Sequence, residues 1–341
     1  MHLHFEIYLL GLLVCVFAYA LLTNAIAKSI LTLPIIFMGL GFLGAHQVET
    51  IAAPQSLDAG KRLLAEVTLV LVLFSDASHV RFRRLRESFK LPLRMLVIGL
   101  PLTVALGTLV AYILSPESGV AMALLTAAVL TPTDAALGQT VVSSKDVPTH
   151  LSQTINVESG LNDGLVLPFV LLGAILASAG MGTASTDGLA LNAIMQVVLG
   201  PLVGITFGWG CAKAMDFAQS RNLMAEAAGG AAFLSVAFAA YIGAEIIGGN
   251  GFIAAFVGGM TFGNIYKHDI HFISEFMEGV GELLTMAAFF VFGALLLPDG
   301  LTHMTWEAVL LSLLFLTVVR MLPIWISLLG TGLAAREKLF L

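Results

Sequence analysis

The sequence predicts an all-α polytopic membrane protein of about eleven transmembrane helices. Three observations carry this prediction. Of 341 residues, 58% are hydrophobic and 11% charged, whereas a soluble domain carries about 25% charged residues; a large soluble core is excluded. Apolar runs recur at about the 20 residues that match the hydrocarbon thickness of a bilayer. The runs are continuous rather than alternating, so they satisfy their backbone as helices and not as a closed barrel.

The runs centre on residues 5–22, 30–45, 62–79, 91–113, 119–141, 151–178, 189–213, 226–248, 250–263, 279–298 and 306–330. The first opens with "MHLHFEIYLL", which lacks the basic n-region of a cleaved leader, and reads as a retained span. The second and ninth are short for a full crossing. The third ends at the basic stretch "RFRRLRESFK". The fifth holds Pro132, which removes a backbone donor and clashes with the preceding turn; with Thr131, Thr133 and Asp134 around it, it reads as a helix broken at mid-membrane. The sixth carries the polar stretch "NVESGLNDG" from Asn156 to Gly164. The ninth contains "GMTFG", whose Gly259 and Gly263 suit close helix approach. The eleventh contains Arg320. Cys15 and Cys211 both fall within spans and suggest no disulfide framework.

Placing the N-terminus outside sorts the basic residues by side. Of 16 Lys and Arg, thirteen fall at cytoplasmic ends, Lys61 and Arg62 fall outside, and Arg320 lies within a span. That asymmetry follows the positive-inside rule and puts the C-terminus in the cytoplasm. The cluster "RFRRLRESFK" is then a short cytoplasmic loop rather than a nucleic-acid patch. His150 and His271 read as solvated loop residues.

Charge inside hydrocarbon is expensive, about 2.5–3.5 kcal/mol per residue on insertion scales. The deep acids are Asp76, Asp134, Glu158, Asp163 and, towards the outer end, Glu245. At about 100° per residue, Asn156, Ser159 and Asp163 form one helical stripe, and Glu158 with Asn162 forms its neighbour. One stripe offers oxygen ligands; the other offers a carboxylate that can meet a cation from another helix. Arg320, permanently charged, is the intramembrane base available for a Glu158–Arg320 pair. Such a pair would leave Asp163 able to exchange a proton for a metal ion. A broken helix near Pro132 would supply carbonyls and half-helix ends for the same ion.

These residues, in this order, resemble the sodium/proton antiporters of the cation:proton antiporter superfamily, in the NhaP-like branch. The resemblance rests on Thr133–Asp134 in the broken helix, "ESGLNDG" on the next helix, "GNGFIAAFVGGMTFGN" and the late "RMLP", and it runs along the whole chain. It implies an inverted-repeat antiporter fold. Core helices would cover about 91–178 and 306–330, and scaffold or dimer helices about 5–79 and 189–298. It implies that Asp163 is the aspartate alternating between proton and cation, and that Asn162 is the partner typical of electroneutral exchange. Ser159, Thr131, Thr133 and Asp134 would be supporting ligands, with Asp163, Ser159 and Thr131 nearest the metal ion. Asp76 would contribute to the cation site, and Glu158 with Arg320 would form a structural pair. The family's proline follows the Thr-Asp pair, whereas here Ala135 follows and Pro132 precedes, which moves the break slightly earlier. The family also continues past the counterpart of "REKLFL" with a second interrupted helix and a further span, so the expected fold is C-terminally incomplete here.

The function expected is secondary antiport of Na⁺ against H⁺ at one shared carboxylate, with no cofactor and no enzymatic chemistry. Li⁺ or K⁺ fits the same oxygen ligands, and a K⁺/H⁺ antiporter or a non-transporting membrane subunit are alternatives. An intramembrane aspartyl protease using Asp134 and Asp163 lacks the sequence context of a proton-sharing dyad. A channel would build symmetric rings of ligands. The expected partners are a monovalent cation, a proton, the lipid bilayer of a bacterial inner membrane and, by resemblance, a second copy of the chain.

Overall fold

The computed structural model describes residues 2–26, 31–51, 54–80, 90–133, 147–180, 189–225, 228–268 and 271–341. Residues 134–141 of the fifth predicted apolar run lie outside them, and each run contains a helix over its described residues. These are α1 (His2–Ile26), α2 (Leu33–Ile51), α3 (Pro54–His79), α4 (Lys90–Arg94 continuing as Leu100–Leu114), α5 (Gly119–Leu130), α6 (Thr149–Gly180), α7 (Leu189–Ser220), α8 (Ala228–Ile246), α9 (Gly251–Ile265), α10 (His271–Val291 continuing as Leu297–Thr302) and α11 (Trp306–Leu314 continuing as Arg320–Ser327). A short α12 (Ala335–Phe340) follows, its first turn closed by Ala334 N donating to Glu337 Oε2 at 2.8 Å.

Among the described residues, six helices have the length and apolarity to cross a membrane: Lys90–Leu114, His150–Ala179, Ile194–Ser220, Ala228–Ile246, Gly279–Thr302 and Trp306–Ser327. α3 has the length, but its N-terminal half carries Asp58, Lys61, Arg62 and Glu66. His150 and His271 lie in the first turns of α6 and α10 rather than in loops, because both helices extend beyond their apolar runs. α4, α10 and α11 each contain a π-helical turn, at Met95–Gly99, Phe292–Leu296 and Phe315–Val319.

The helices form two compact units, one of Met1–Leu69 and Glu275–Met304, the other of Val70–Ser274 and Thr305–Leu341. In the first, α2 and α10 meet at backbone distance: Gly41 faces the Phe290 carbonyl and Gly293 faces that of Met38, so neither position has room for a Cβ. Tyr19 of α1 sets its ring edge-on to Phe37 of α2, centroids 5.6 Å apart.

The second unit packs by the same device. On α7, Gly200, Gly204 and Gly208 recur every four residues and face the carbonyls of Asn250, Ala254 and Gly258 on α9. On the other side of α9, Gly259 and Gly263, the residues of "GMTFG", face the carbonyls of Phe74 and Ser78 on α3. Phe74, Phe233 and Phe262 fill the space beside this contact with tilted and edge-on rings. The α8–α9 link is tight: Gly248 takes φ 78°, Gly251 N donates to Glu245 Oε1 at 2.8 Å and Ile253 N to Asn250 Oδ1 at 3.0 Å. Glu245 therefore sits at a helix N-terminus, where negative charge is favoured. An apolar core of Leu73, Leu96, Leu100, Ala128, Leu161 and Phe256 joins α3, α4, α5, α6 and α9. α6 thus stands with its polar stretch among four other helices.

Candidate functional site

The polar stretch of α6 stays helical throughout, because its backbone bonds run along the helix and its side chains find partners elsewhere. Glu158 is 3% exposed and Asn162 is 0%, burial that polar groups tolerate only when they are hydrogen-bonded or paired. Gly164 lets the Phe256 ring of α9 lie directly on α6, where a Cβ would clash. Asp163, one turn beyond Ser159, is half-buried.

α5 ends at Leu130, and Thr131, Pro132 and Thr133 leave the helix. α5 thus ends just before Pro132, and the carbonyls of Thr131 and Thr133 accept hydrogen bonds from α11 and α6; whether a helix resumes after Thr133 lies outside the described residues. Ser159 Oγ donates to the Thr133 carbonyl at 2.7 Å. Asn162 Nδ2 donates to the same carbonyl and to Thr133 Oγ1, each at 3.2 Å. Thr131 Oγ1 donates back to Ala127 O at 2.7 Å. Non-helical backbone inside a bilayer is tolerated where it is enclosed by protein or lines a cavity, and here the Thr133 carbonyl is satisfied by Ser159 and Asn162.

Arg320 completes the arrangement from α11. Its Nη2 lies 2.8 Å from Glu158 Oε1, with the two side chains 17% and 4% exposed. The same guanidinium donates to the Thr131 carbonyl at 3.0 Å and to Thr133 Oγ1 at 2.7 Å. A planar fork with several donors can serve a carboxylate and a backbone carbonyl at once. The π-turn Phe315–Val319 ends immediately before Arg320; its added residue turns the following segment by about one residue's rotation relative to a continuous α-helix.

Donor and acceptor bookkeeping gives the site a polarity. The Ser159 proton is directed at Thr133 O, so its oxygen meets any further partner as an acceptor. Asn162 spends its amide hydrogens on Thr133. The reverse amide orientation would set its oxygen against the Thr133 carbonyl, two acceptors with no proton between them. Its Oδ1 is buried and without a hydrogen-bond partner, one of two such side-chain atoms among the described residues, with Gln219 Oε1. An orphaned buried acceptor costs about 1–3 kcal/mol.

The structure brings together Thr131, Thr133, Glu158, Ser159, Asn162 and Arg320. The two stripes read from α6 converge on Thr133, Ser159 from one and Asn162 from the other. Asp163 lies on the same helix, whereas Asp76 is placed on α3 and is exposed; the hydrogen bonds just described involve neither. Asp134 and the Asn156 side chain lie outside the described residues. Sequence reasoning missed the bonds from Arg320 to the broken helix; its signal was the close run of Thr131, Pro132 and Thr133, which offers carbonyls without helical partners.

Comparison with known proteins bears on what such a site does. The family model described as "Sodium/hydrogen exchanger, transmembrane" matches residues 12–341. The chain is similar to the K(+)/H(+) antiporter NhaP2 of Shewanella oneidensis, 25% identical over 282 residues, which cover 82% of this chain and 48% of that protein. It is similar also to Na(+)/H(+) antiporter 2 of Zygosaccharomyces rouxii, 28% identical over 232 residues, covering 64% of this chain and 28% of that one. The chain spans about half the length, or less, of these curated relatives. Its fold is similar to that of the sodium proton antiporter MjNhaP1 from Methanocaldococcus jannaschii, with a TM-score of 0.71, 18% identity and coverage of 98% of this chain and 81% of that one. A second structure of the same protein gives a TM-score of 0.74.

Proposed function

The chain belongs to the transmembrane sodium/hydrogen exchanger family, and from that premise we propose that it carries the ion-exchange site of a monovalent cation/proton antiporter, with Na⁺ and H⁺ competing for Asp163. A carboxylate at this depth is costly when bare. A proton neutralises it, and so does a cation dehydrated among oxygen ligands. Holding one or the other, never both, couples the two fluxes.

The observation that carries the reading is the convergence of Ser159, Asn162 and Arg320 on the broken helix at Thr133. It supports a site at mid-membrane whose walls are set by fixed hydrogen bonds. Ser159 and the carbonyls near Thr131 and Thr133 are the supporting ligands, with Asp134 and Asp76 as further acidic contributors. The Glu158–Arg320 pair holds α6 and α11 to the break while staying out of the exchange. Asn162 does not titrate, so one Na⁺ exchanges for one H⁺, and membrane potential, worth about 2.3 kcal/mol per charge per 100 mV, drops out of the driving force. Helices of about 91–178 and 306–330 form the moving core, and those of about 5–79 and 189–298 form the scaffold or dimer part. The setting is a bacterial inner membrane, N-terminus outside, C-terminus in the cytoplasm, with a homodimer as the working state.

The test is dequenching of a pH dye in proteoliposomes on addition of Na⁺, Li⁺ or K⁺, with and without dissipation of voltage. Na⁺ should move protons at a rate that voltage does not change, and Asp163→Asn should abolish the response. Exchange at the unaltered rate in Asp163→Asn refutes the site.

A further inference from the structure

We propose that Arg94 is a positioning residue for the exchange: it fixes how far α11 reaches along α4, and through that the place of Arg320 on the segment Thr131–Thr133. Its effect on transport rests on the site reading above. Arg94 Nε donates to the Ser327 carbonyl at 2.7 Å, and Nη2 donates to the Leu329 carbonyl at 2.8 Å. Both acceptors stand where α11 ends, just before Gly330 at φ 76°. Carbonyls in a last turn have no helical donor, and the helix dipole favours a cation there. A planar fork that holds two carbonyls at once defines a register. The positive-inside rule accounts for a basic residue at the start of α4, but it asks only for charge, which lysine supplies equally well.

Arg320 needs such an anchor because the helix around it is interrupted twice. The π-turn Phe315–Val319 precedes it. Three residues after it, Pro323 has no N–H to return to the turn before. α4 holds the chain on both sides of this stretch. On one side the Phe315 ring lies on Gly107, where a Cβ would clash. On the other, Ile324 and Leu328 are buried with Met95, and Gly99 faces Ile324 and Ser327. Apolar contacts of this kind allow sliding at the cost of a rotamer change. The two Arg94 bonds do not, because their acceptors are main chain. Ser327 and Arg320 are about two turns apart, roughly 10 Å of helix. A shift at the clamp is therefore carried to the guanidinium that serves Thr131, Thr133 and Glu158.

Hydrogen exchange read by mass spectrometry on the purified chain in nanodiscs tests the placement without reference to transport. Arg94→Lys keeps the charge and loses the fork; Arg94→Gln loses both, and the lysine variant carries the test if the glutamine variant does not fold. Each should speed exchange about tenfold, the scale of one hydrogen bond to a charged group, in the amides of residues 129–133 as well as 327–331. Loosening confined to 327–331, or an Arg94→Lys variant identical to the unaltered chain, overturns the proposal. In the pH-dye assay, each variant should lower turnover per folded protein with the KM for Na⁺ unchanged. Arg94→Gln added to Arg320→Lys should slow exchange no further than Arg320→Lys alone, because both act through one guanidinium. Rate losses that multiply, as they do for independent sites, overturn it too. Exchange at the unaltered rate in Asp163→Asn would instead sink the site reading and leave the hydrogen-exchange result standing.

Discussion

Arg320 is the side chain on which the site's shape depends most. It serves one carboxylate, one backbone carbonyl and one hydroxyl, from two separate stretches of chain, α6 and the segment that follows α5. Removing one partner of a buried pair costs about 3–5 kcal/mol, because the other charge stays behind uncompensated. Arg320→Ala should therefore lower the melting midpoint in detergent and the yield of monodisperse protein, while the surviving fraction keeps its Na⁺ affinity. Normal melting with a shifted Na⁺ affinity would mean that Arg320 acts on the ion and not on the frame. Arg320→Lys should fall between, since an ammonium cannot span Glu158 and the Thr131 carbonyl with a planar fork. At this scale the sequence was informative about charges and silent about their backbone partners. Glu158 and Arg320 stand out because ionised groups are rare in apolar runs. The Thr131 and Thr133 carbonyls have no letter of their own, so the bonds to them were invisible until the helix break was placed in space.

At the scale of helices, the close contacts decide the packing. α7 and α9, and α9 and α3, touch through glycine against backbone carbonyl. A methyl group introduced there has no flexible neighbour to displace. Gly204→Val and Gly259→Val should each destabilise by at least the ~1–3 kcal/mol of ordinary overpacking, whereas Gly210→Val, where nothing lies within 4 Å, should be tolerated. Melting curves of the three variants test this; a normal Gly259→Val would show that the α3–α9 contact is looser than drawn. Helix positions were legible because composition over about 20 residues is a strong signal, and "GMTFG" announced one of the contacts. The stripe of Gly200, Gly204 and Gly208 was legible in principle but sat in a run that needed no further explanation to be called a span. The π-turns were not legible: an added residue per turn is stabilised by tertiary partners such as those of Arg320, and it leaves no periodic trace in an apolar run.

At the scale of the whole molecule, the orientation proposed from the distribution of basic residues is one that labelling can read. With Cys15 and Cys211 replaced by serine, a membrane-impermeant maleimide should reach Lys267→Cys from the cytoplasmic side and Asp299→Cys from the outer side; both positions are exposed. Labelling of both from one side would overturn the topology. The helix contacts also have a kinematic meaning. Where α3, α7 and α9 meet, main chain abuts main chain, and such a joint has no intermediate positions: it is closed or it is parted. Where α6 faces α3 and α9, the contact is instead made by a ring on Gly164 and by the Val80 side chain near Gly160, and side chains exchange rotamers as neighbouring surfaces slide. The chain thus contains a welded seam and a lubricated one, and the antiport proposed above would route its motion along the second.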